Sequence, residues 1–356
     1  LFDTAGVKQT VTFPNGKSYL PTTNMWKKLR FVTVADTTFI LNTGKVTAAA
    51  NITDTRVNPA TVASVFVKRA IPSVAYAIYV NNVLAATTST SSNVDAATAL
   101  EGTTTIAEQL AADAVARGYT DATNIGSVVT FGITSGAVLK VDDQFGGASM
   151  EAYTDRLQEF SDLPPIEEEG RLIRLEGTLS NASTSYWVIF TKGIWTETVG
   201  YNAKRGFTAS TMPHTLVKTG TNTFEFRQNL WNARSCGDAD SNPDPSFVGS
   251  SINGLFLFKG RLGLLSEENA LLSGVTVFED FYRTTVAQLL ASDPIDVASV
   301  TGRVSTLYHA ASFSDELVLF SDKQQFRLSS GTVLSAETVG ITNSTSYPCS
   351  TLVAPV

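Results

Sequence analysis

The chain has 356 residues, of which 43% are apolar and only 17% are charged, and its formal net charge is −7 at pH 7. This excess of acidic residues argues against a protein that binds nucleic acid tightly, because affinity for phosphate depends on clustered lysine and arginine. The scarcity of charge is typical of a subunit that hides much of its surface against neighbours. The basic runs are short and are predicted to be solvated surface: Lys27-Lys28 with Arg30, Lys68-Arg69 and Lys204-Arg205.

The two cysteines, Cys236 and Cys349, lie far apart and have no metal-ligand spacing. Free thiols and assembly in a cytoplasm are therefore expected rather than a disulfide framework. No apolar run approaches the roughly 18 residues of a membrane span, and no signal peptide is visible. The sequence begins at Leu1 without a methionine and stops in mid-pattern at Val356, so we expect it to be a segment of a longer chain.

Short runs rich in valine, isoleucine, phenylalanine and threonine predict a mainly β chain. Near the start, Asn15-Gly16 predicts a turn. The run from Phe39 to Val46 predicts a strand, a small polar turn carrying lysine, and a second strand. A further strand over Val74 to Val80 opens a predicted α+β unit, and the Thr/Ser tract from Thr87 to Ser92 is predicted to be a loop within it.

A helix is predicted behind Thr105. Thr105 and Glu108 have the spacing of a capping box, in which both side chains satisfy free backbone N–H groups. The alanine-rich stretch that follows runs to Arg117 and stops at Gly118. Its apolar positions Ile106, Leu110 and Ala114 fall on one face.

The rest of the α+β unit is predicted to hold a hairpin and a second helix. The hairpin pairs residues 127–131 with residues 137–141 across a turn that contains glycine and serine. The second helix covers Met150 to Phe160. The Pro164-Pro165 pair then predicts a domain boundary, because a helix rarely continues into proline.

Strand–turn–strand units of one style recur along the chain. After Phe39 to Val46, they are predicted at Trp187 to Trp195, Phe256 to Leu265 and Leu317 to Phe326. In addition, Thr223 to Arg227 alternates aromatic and polar residues, as a strand with one buried face does. Repeated hairpins of this kind predict propeller blades or a stacked β array.

No candidate for catalysis or metal binding has the complete residue pattern that its chemistry requires. His214 and His309 sit in no nucleophile motif and are interpreted as structural. The acidic stretch from Asp238 to Asp244 has oxygen ligands at alternate positions, but Pro243 and Gly249 occupy the places where an EF-hand needs Gly and Glu. It is predicted to be a loop whose side chains bond their own backbone, with a looser cation site as the alternative.

Asp293 and Asp296 are close in sequence, as an acid pair for glycoside hydrolysis could be. With 33 acidic residues in the chain, such pairs arise by chance. No phosphate-binding loop or dinucleotide-binding glycine motif is present. We therefore predict that the protein is not an enzyme and assign no catalytic, cofactor-binding or metal-binding residue.

Several strings, in order along nearly the whole chain, resemble the tail tubular protein B, or tail nozzle, family of short-tailed phages of the autographivirus type. They are LRFVTVADTTFILN from Leu29, WTETVGYN from Trp195, RSCGDADSNPDPSFVGSSI from Arg234, RLGLLSEENALLS from Arg261 and SFSDELVLFSDKQQFRLSSG from Ser312. Shorter matches are Asp162 to Pro165, Met212 to His214 and Asp293 to Val297. One departure is Asp244, where the family leads us to expect an apolar residue.

The resemblance implies a β-propeller interrupted by inserted domains. We expect a β-propeller segment over 1–58, an inserted α+β domain over 59–165, a small β module over 166–212 and β-propeller blades over 213–356. It also implies a homohexameric ring in the phage tail that conducts DNA without binding it specifically and docks an adaptor and tail fibres. Such a particle would be assembled in the host cytoplasm, and contact with the host cell surface is possible.

Two alternatives stay open at this point. Trp187, Trp195 and Trp231 could stack on sugar rings in a tail component that binds or cleaves carbohydrate at the host envelope, or they could be core residues of strands. A propeller scaffold from outside phages is the other alternative.

Overall fold

The computed structural model of the protein describes residues 1–51, 53–92, 102–177, 185–299, 304–331 and 333–355. The fold is mainly β, as predicted, with 40% strand and 8% helix. The chain divides into two compact units. Unit 1 comprises Leu1–Ile52, Lys204–Ser235 and Asn242–Val356, and unit 2 comprises Thr53–Ala203 and Cys236–Ser241.

Among the described residues, the α-helices are α1 (Met25–Lys28) and α2 (Thr103–Ala116), with short 3-10 helices at Pro59–Thr61, Phe160–Asp162 and Ala209–Thr211. The strands of the described residues are β1 (Thr10–Thr12), β2 (Leu29–Val34), β3 (Thr37–Asn42), β4 (Val62–Val67), β5 (Ala75–Val80), β6 (Val83–Ser89), β7 (Thr123–Ile125), β8 (Val128–Gly132), β9 (Leu139–Asp142), β10 (Met150–Tyr153), β11 (Arg156–Leu157), β12 (Leu172–Leu175), β13 (Tyr186–Thr191), β14 (Ile194–Thr198), β15 (His214–Gly220), β16 (Thr223–Gln228), β17 (Gly254–Phe258), β18 (Arg261–Ser266), β19 (Asn269–Leu272), β20 (Ile295–Ala298), β21 (Leu307–Phe313), β22 (Glu316–Ser321), β23 (Gln325–Ser329) and β24 (Gly340–Thr345).

In the described part of unit 1 there are three sheets. The first has the order β1-β16-β15-β3-β2, and the other two are antiparallel meanders of β17 to β20 and of β21 to β24. In the first sheet β3 pairs with β15, which places His214 opposite Ile40. The main part of unit 2, Thr53–Ala203, lies between these two strands in the sequence. The three sheets are adjacent through β17, which lies beside both β2 and β21. Within the described residues no sheet closes on itself.

Alternating apolar residues build the core of unit 1. One cluster joins the two meanders through Leu265, Leu317 and Phe326, all fully buried. Gly263 permits a close approach there, because the Phe256 ring lies against its Cα and a Cβ would stand 2.0 Å from the ring's Cζ. Phe256 and Gly263 are cross-strand partners, so the ring covers the backbone that the glycine leaves bare.

Three of the four predicted strand–turn–strand units are confirmed. Two of them reverse at a lysine–glycine pair, with φ of 53° and 80° at Lys192-Gly193 and 46° and 74° at Lys259-Gly260. Positive φ at both central residues suits the twist of a two-residue hairpin. The third is the β22–β23 hairpin. The unit predicted over Phe39 to Val46 is wrong in its second half, because Val46 forms only an isolated bridge with Ser251.

Unit 2 contains three sheets and one long helix among its described residues. The sheet orders are β10-β4-β8-β7, β6-β5-β9 and β11-β12-β13-β14. Helix α2 packs on β6 and β8, and its residues Ile106, Leu110 and Ala114 are fully buried, as predicted. The helix ends at Ala116 with Arg117 as its C-cap, and Gly118 has a φ of +104°, which favours glycine.

Other predictions for unit 2 are wrong. Helix α2 begins after Gly102 without a side-chain cap, so the Thr105–Glu108 capping box does not form. Residues 87–89 continue β6 instead of starting a loop, because they pair with β5. The strands of the predicted 127–141 hairpin exist but belong to different sheets, since β8 pairs with β4 and β9 pairs with β5.

The helix predicted over Met150 to Phe160 is also wrong. Met150 to Tyr153 form a strand that pairs antiparallel with β4, with Met150 opposite Val67. This pairing buries both Met150 and Tyr153. A partner more than 80 residues earlier in the sequence therefore overrides the local pattern, as is common for strands.

A buried arginine holds the long connection between β19 and β20. The Arg261 side chain is 1% exposed, and its three shortest hydrogen bonds go to the backbone carbonyls of Ser273 (2.6 Å), Asp293 (2.7 Å) and Ala291 (2.7 Å). These carbonyls lie at the two ends of the connection. A guanidinium has enough donors to satisfy all three at once, so one side chain fixes both ends.

An ion pair joins the beginning and the end of unit 2. The Arg56 guanidinium binds the Asp54 carboxylate at 2.6 Å and donates to the carbonyls of Val199 and Gly200, both at 2.8 Å. Asp54 also accepts from the backbone N–H of Asn202 at 3.0 Å. We call this set of five residues the Asp54–Arg56 clamp.

Replacing Arg261 with methionine should destabilise unit 1. Three buried carbonyls would lose their donor, so the free energy of unfolding should fall by about 3 kcal/mol in urea titrations. The control is Arg327→Met in β23, because the Arg327 side chain is 53% exposed and pairs with Glu316 at 3.4 Å. An exposed pair of that kind is worth less than about 1 kcal/mol. Equal losses in the two variants would contradict the role given to Arg261.

The Asp54–Arg56 clamp should make stability depend on pH. The hydrogen bond from Arg56 lowers the pKa of Asp54 below its usual value and outweighs burial, which raises it. The clamp therefore stabilises the fold above the unfolded pKa of about 4, and this contribution is lost as the pH falls below it.

Asp54→Asn should lower the free energy of unfolding at neutral pH by about 2 kcal/mol and flatten its fall in acid. Glu108→Gln is the control in the same unit, because Glu108 is exposed on α2. Urea titrations across the acid range measure both. An unchanged acid profile in Asp54→Asn would show that the clamp does not act.

Candidate functional sites

Both histidines lie in the core of unit 1. The His214 ring stacks on Tyr19 at a centroid distance of 3.9 Å, and its Nδ1 lies 3.0 Å from the carbonyl oxygen of Met212. Burial lowers the pKa of His214, and the nearby Lys45 lowers it further. His309 is buried in β21, where burial also lowers its pKa. Both rings are therefore neutral at pH 7 and act as packing residues.

The first half of the acidic stretch bonds its own backbone, as predicted. The Asp238 carboxylate accepts from the N–H groups of Asp240 (3.0 Å) and Ser241 (3.2 Å), and from the Trp187 indole at 2.8 Å. Burial raises the pKa of Asp238, but the Trp187 indole and the other donors outweigh it, so the pKa is lowered. The carboxylate is committed to these donors.

Asp244, the departure from the family pattern, has a structural partner. Its Oδ1 accepts from the Arg234 guanidinium at 2.7 Å and from the Tyr282 hydroxyl at 2.9 Å. Arg234 is buried, and its guanidinium also lies 4.8 Å from the centre of the Tyr282 ring. An apolar residue here would leave a buried charge without its anion, so we interpret Asp244 as the counter-ion of Arg234.

Asp293 and Asp296 serve different neighbours. Asp293 is buried and accepts from the N–H of Leu290 at 2.8 Å. Asp296 accepts from the Ser246 hydroxyl and the Asn269 amide, both at 2.8 Å. Each carboxylate therefore holds a neighbouring loop or strand by hydrogen bonds. Among the described residues, the two carboxylates have different hydrogen-bond partners.

The three tryptophans considered as sugar platforms are buried or half-buried, and each indole N–H has a hydrogen-bond partner. Trp187 is 9% exposed and donates to Asp238. Trp195 and Trp231 are half-buried and donate to the carbonyls of Pro164 (2.8 Å) and Pro213 (3.3 Å). Trp195 also packs against the Phe190 ring and Trp231 against the Phe281 ring.

Sequence reasoning missed the exposed tryptophan. Trp26, in the short helix α1, is 68% exposed, and the Lys27 ammonium lies 5.0 Å from its ring centre. The exposure of Trp26 could have been predicted from the sequence, because Trp26 lies between Asn24 and the basic run and outside any alternating apolar pattern.

Unit 2 contains a buried polar cluster beside a cavity. The Tyr153 hydroxyl donates to Glu167 at 2.5 Å, and burial raises the pKa of Glu167. Arg171 donates to Ser64 Oγ at 3.2 Å and to the carbonyl of Val62 at 3.0 Å. Arg171 also lines a cavity of about 270 Å³. The cluster joins β4 to the start of β12.

Within the described ranges, no group of three or more His, Cys, Asp or Glu side chains is arranged to hold a metal ion. Within the same ranges, no helix has the length and apolar character needed to cross a membrane. Cys236 and Cys349 form no disulfide.

Trp26 should dominate quenching of the protein's fluorescence by acrylamide. It is 68% exposed, whereas the other indoles are packed and hydrogen-bonded. Trp26→Phe should remove most of the accessible fraction without changing the unfolding midpoint. The matched variant Trp195→Phe should leave that fraction in place and lower the midpoint, because it loses the bond to Pro164. The reverse result would show that the two side chains have been placed wrongly.

Comparison with known proteins identifies the family to which the chain belongs. The chain matches the family of bacteriophage nozzle proteins over residues 1–356. It is also 33% identical over 375 aligned residues to the tail tubular protein gp12 of Escherichia phage T7, an alignment that covers 98% of this chain and 45% of that relative. The chain thus spans less than half of the relative's length. It belongs to the bacteriophage nozzle protein family.

Proposed function

We propose that the protein is a structural subunit of a phage tail nozzle, forming with its copies a homohexameric ring through which DNA leaves the particle. The match to the nozzle family over the whole chain carries this proposal. A ring has heterologous contacts, in which one patch meets a different patch on the next copy. The low charge content of 17% suits a surface that is largely covered in the assembly.

The arrangement of unit 1 supports a β-propeller. Each of its three sheets contains an antiparallel series of four strands, and β17 lies beside both β2 and β21. Blades of a propeller meet in this way around a central axis. In the first blade, unit 2 occupies the connection between β3 and β15. The four-part division at residues 58, 165 and 212 remains part of this proposal.

The charge balance suits a conduit. DNA slides through a channel when the wall does not hold its phosphates, and excess acid repels them over about 8 Å at physiological salt. A net charge of −7 is in keeping with a neutral or acidic wall.

Exposed apolar side chains supply candidate contacts to partners. In unit 1, Phe31 and Phe313 are 59% and 74% exposed, and in unit 2 Phe145, Phe160 and Ile194 are more than half exposed. Surfaces of this kind are typical of protein–protein contacts. We propose that they meet neighbouring copies, the tail adaptor or tail fibres during assembly in the host cytoplasm. The host cell surface is a further possible partner.

A carbohydrate-binding role has less support. Trp187, Trp195 and Trp231 hold their indole hydrogens in bonds to the protein and pack against the core. A platform for sugar needs an open aromatic face. Specific binding on a glycan array, lost in Trp26→Ala without unfolding, would revive this role.

Purified protein should form oligomers. We expect multi-angle light scattering at micromolar concentration to give a mass several times the 38.0 kDa of one chain, and negative-stain images to show rings with an open centre. Phe313→Ser and Phe145→Ser, which each remove an exposed apolar side chain, test which unit makes the contacts. Glu108→Gln is the control, since it changes an exposed polar residue.

A monomer under all these conditions would count against a ring-forming subunit. Tight binding of double-stranded DNA at physiological salt would count against a conduit that lets DNA slide, because such binding requires many lysine or arginine contacts to phosphate.

A further inference from the structure

We propose that a pocket in unit 1 between Lys28 and Lys45 binds a single phosphate group. The pocket has a volume of about 270 Å³. Its lining consists of Ser18, Leu20, Pro21, Thr22, Thr23, Lys28, Asn42, Gly44 and Lys45. This inference goes beyond the nozzle function and does not depend on ring formation.

The floor of the pocket is a fixed polar frame. Asn42 is buried; its side-chain amide donates to the Tyr19 carbonyl at 2.7 Å, and its Oδ1 accepts from the Gly44 N–H at 3.0 Å. The Tyr19 hydroxyl accepts from the Asn42 N–H at 3.0 Å. Because Tyr19 also stacks on His214, the frame is anchored to the core.

Both lysines are held at the pocket by the backbone. The Thr43 N–H donates to the Lys28 carbonyl at 2.9 Å, which joins the end of α1 to the turn after β3. The Lys28 stem then passes beside Gly44, where a Cβ would lie 3.7 Å from Lys28 Cδ. The Lys45 N–H donates to the Asn42 carbonyl at 3.1 Å. The turn therefore brings both lysines to the lining of one pocket.

These cations have no acidic partner. Among the residues that the structure describes, no carboxylate lies within 4.0 Å of the Lys28 or Lys45 ammonium, although both side chains are half-buried. Over the same part of the chain, the hydroxyls of Ser18, Thr22 and Thr23 form no hydrogen bond. Two unpaired cations and three free hydroxyls around one pocket in an acidic protein point to an anion.

The donor set favours phosphate over a carboxylate. Lysine is a compact point charge that binds phosphate, whereas planar carboxylates are matched best by the arginine fork. Hydroxyls and ammonium groups approach from several directions, as the oxygens of a tetrahedral anion require. The sequence offers only the short run Lys27-Lys28 with Arg30 nearby, so one phosphate group fits better than a nucleic-acid backbone, which needs many cations.

Isothermal titration calorimetry with inorganic phosphate at constant ionic strength tests the site. We expect millimolar binding that Lys28→Gln and Lys45→Gln each weaken about tenfold. The control Lys204→Gln removes an exposed lysine elsewhere in unit 1 and should leave the affinity unchanged. Thr22→Val removes one exposed hydroxyl without changing charge and should weaken binding severalfold, which keeps the test usable if a lysine variant fails to fold.

Further arms identify the source of the phosphate. Glucose 1-phosphate that binds as well as inorganic phosphate would assign the site to a phosphate monoester on a larger molecule, and binding of inorganic phosphate alone would assign it to the free ion. No heat with either probe, or equal weakening in Lys204→Gln, would overturn the proposal. So would an oligonucleotide whose affinity grows with length and survives Lys28→Gln, because that result would indicate a nucleic-acid surface.

Discussion

The main constraint on this fold is that the chain must leave unit 1 after β3 and return to the neighbouring strand β15. The Asp54–Arg56 clamp satisfies this constraint by joining the two ends of unit 2. Arg56 holds the carbonyls of Val199 and Gly200, while Asp54 holds the N–H of Asn202. The two ends of unit 2 are thereby joined by charged hydrogen bonds in a largely buried setting, where such bonds are strongest. Closing a long loop costs entropy that rises only slowly with its length, so a short clamp at the base can support an insertion of this size.

Buried guanidinium groups have similar roles elsewhere. Arg261 holds both ends of the β19–β20 connection, Arg234 pairs with Asp244, and Arg171 joins β4 to the start of β12. A chain rich in loops between short strands has many backbone carbonyls without a ladder partner, and each needs a donor once it is buried. Arginine supplies up to five donors from one side chain. Arg171, Arg234 and Arg261 thus act inside the protein, although most of its other charged residues lie at the surface.

The sequence allowed the mainly β class, helix α2 and three hairpins to be predicted, because their signals are local. The Lys192-Gly193 and Lys259-Gly260 turns need positive φ. A glycine-containing pair between two apolar runs indicates such a turn in the sequence. The strand at Met150 could not be predicted, since it is determined by pairing with Val67. Among the candidate sites, the self-bonded loop at Asp238 was predictable from its composition. The pocket at Lys28 and Lys45 was not predictable. In the sequence, Lys28 belongs to a short basic run typical of solvated surface, and only the folded turn brings it beside Lys45.

The central claim is that this chain surrounds a channel in a phage tail. An electron cryo-microscopy map of the assembled particle, resolved well enough to trace the chain, tests it most directly. We expect copies of the chain in a closed ring, with unit 1 forming blades and a wall facing the channel whose net charge is neutral or negative. Placement away from the channel, or a continuous lysine and arginine stripe along that wall, would contradict it.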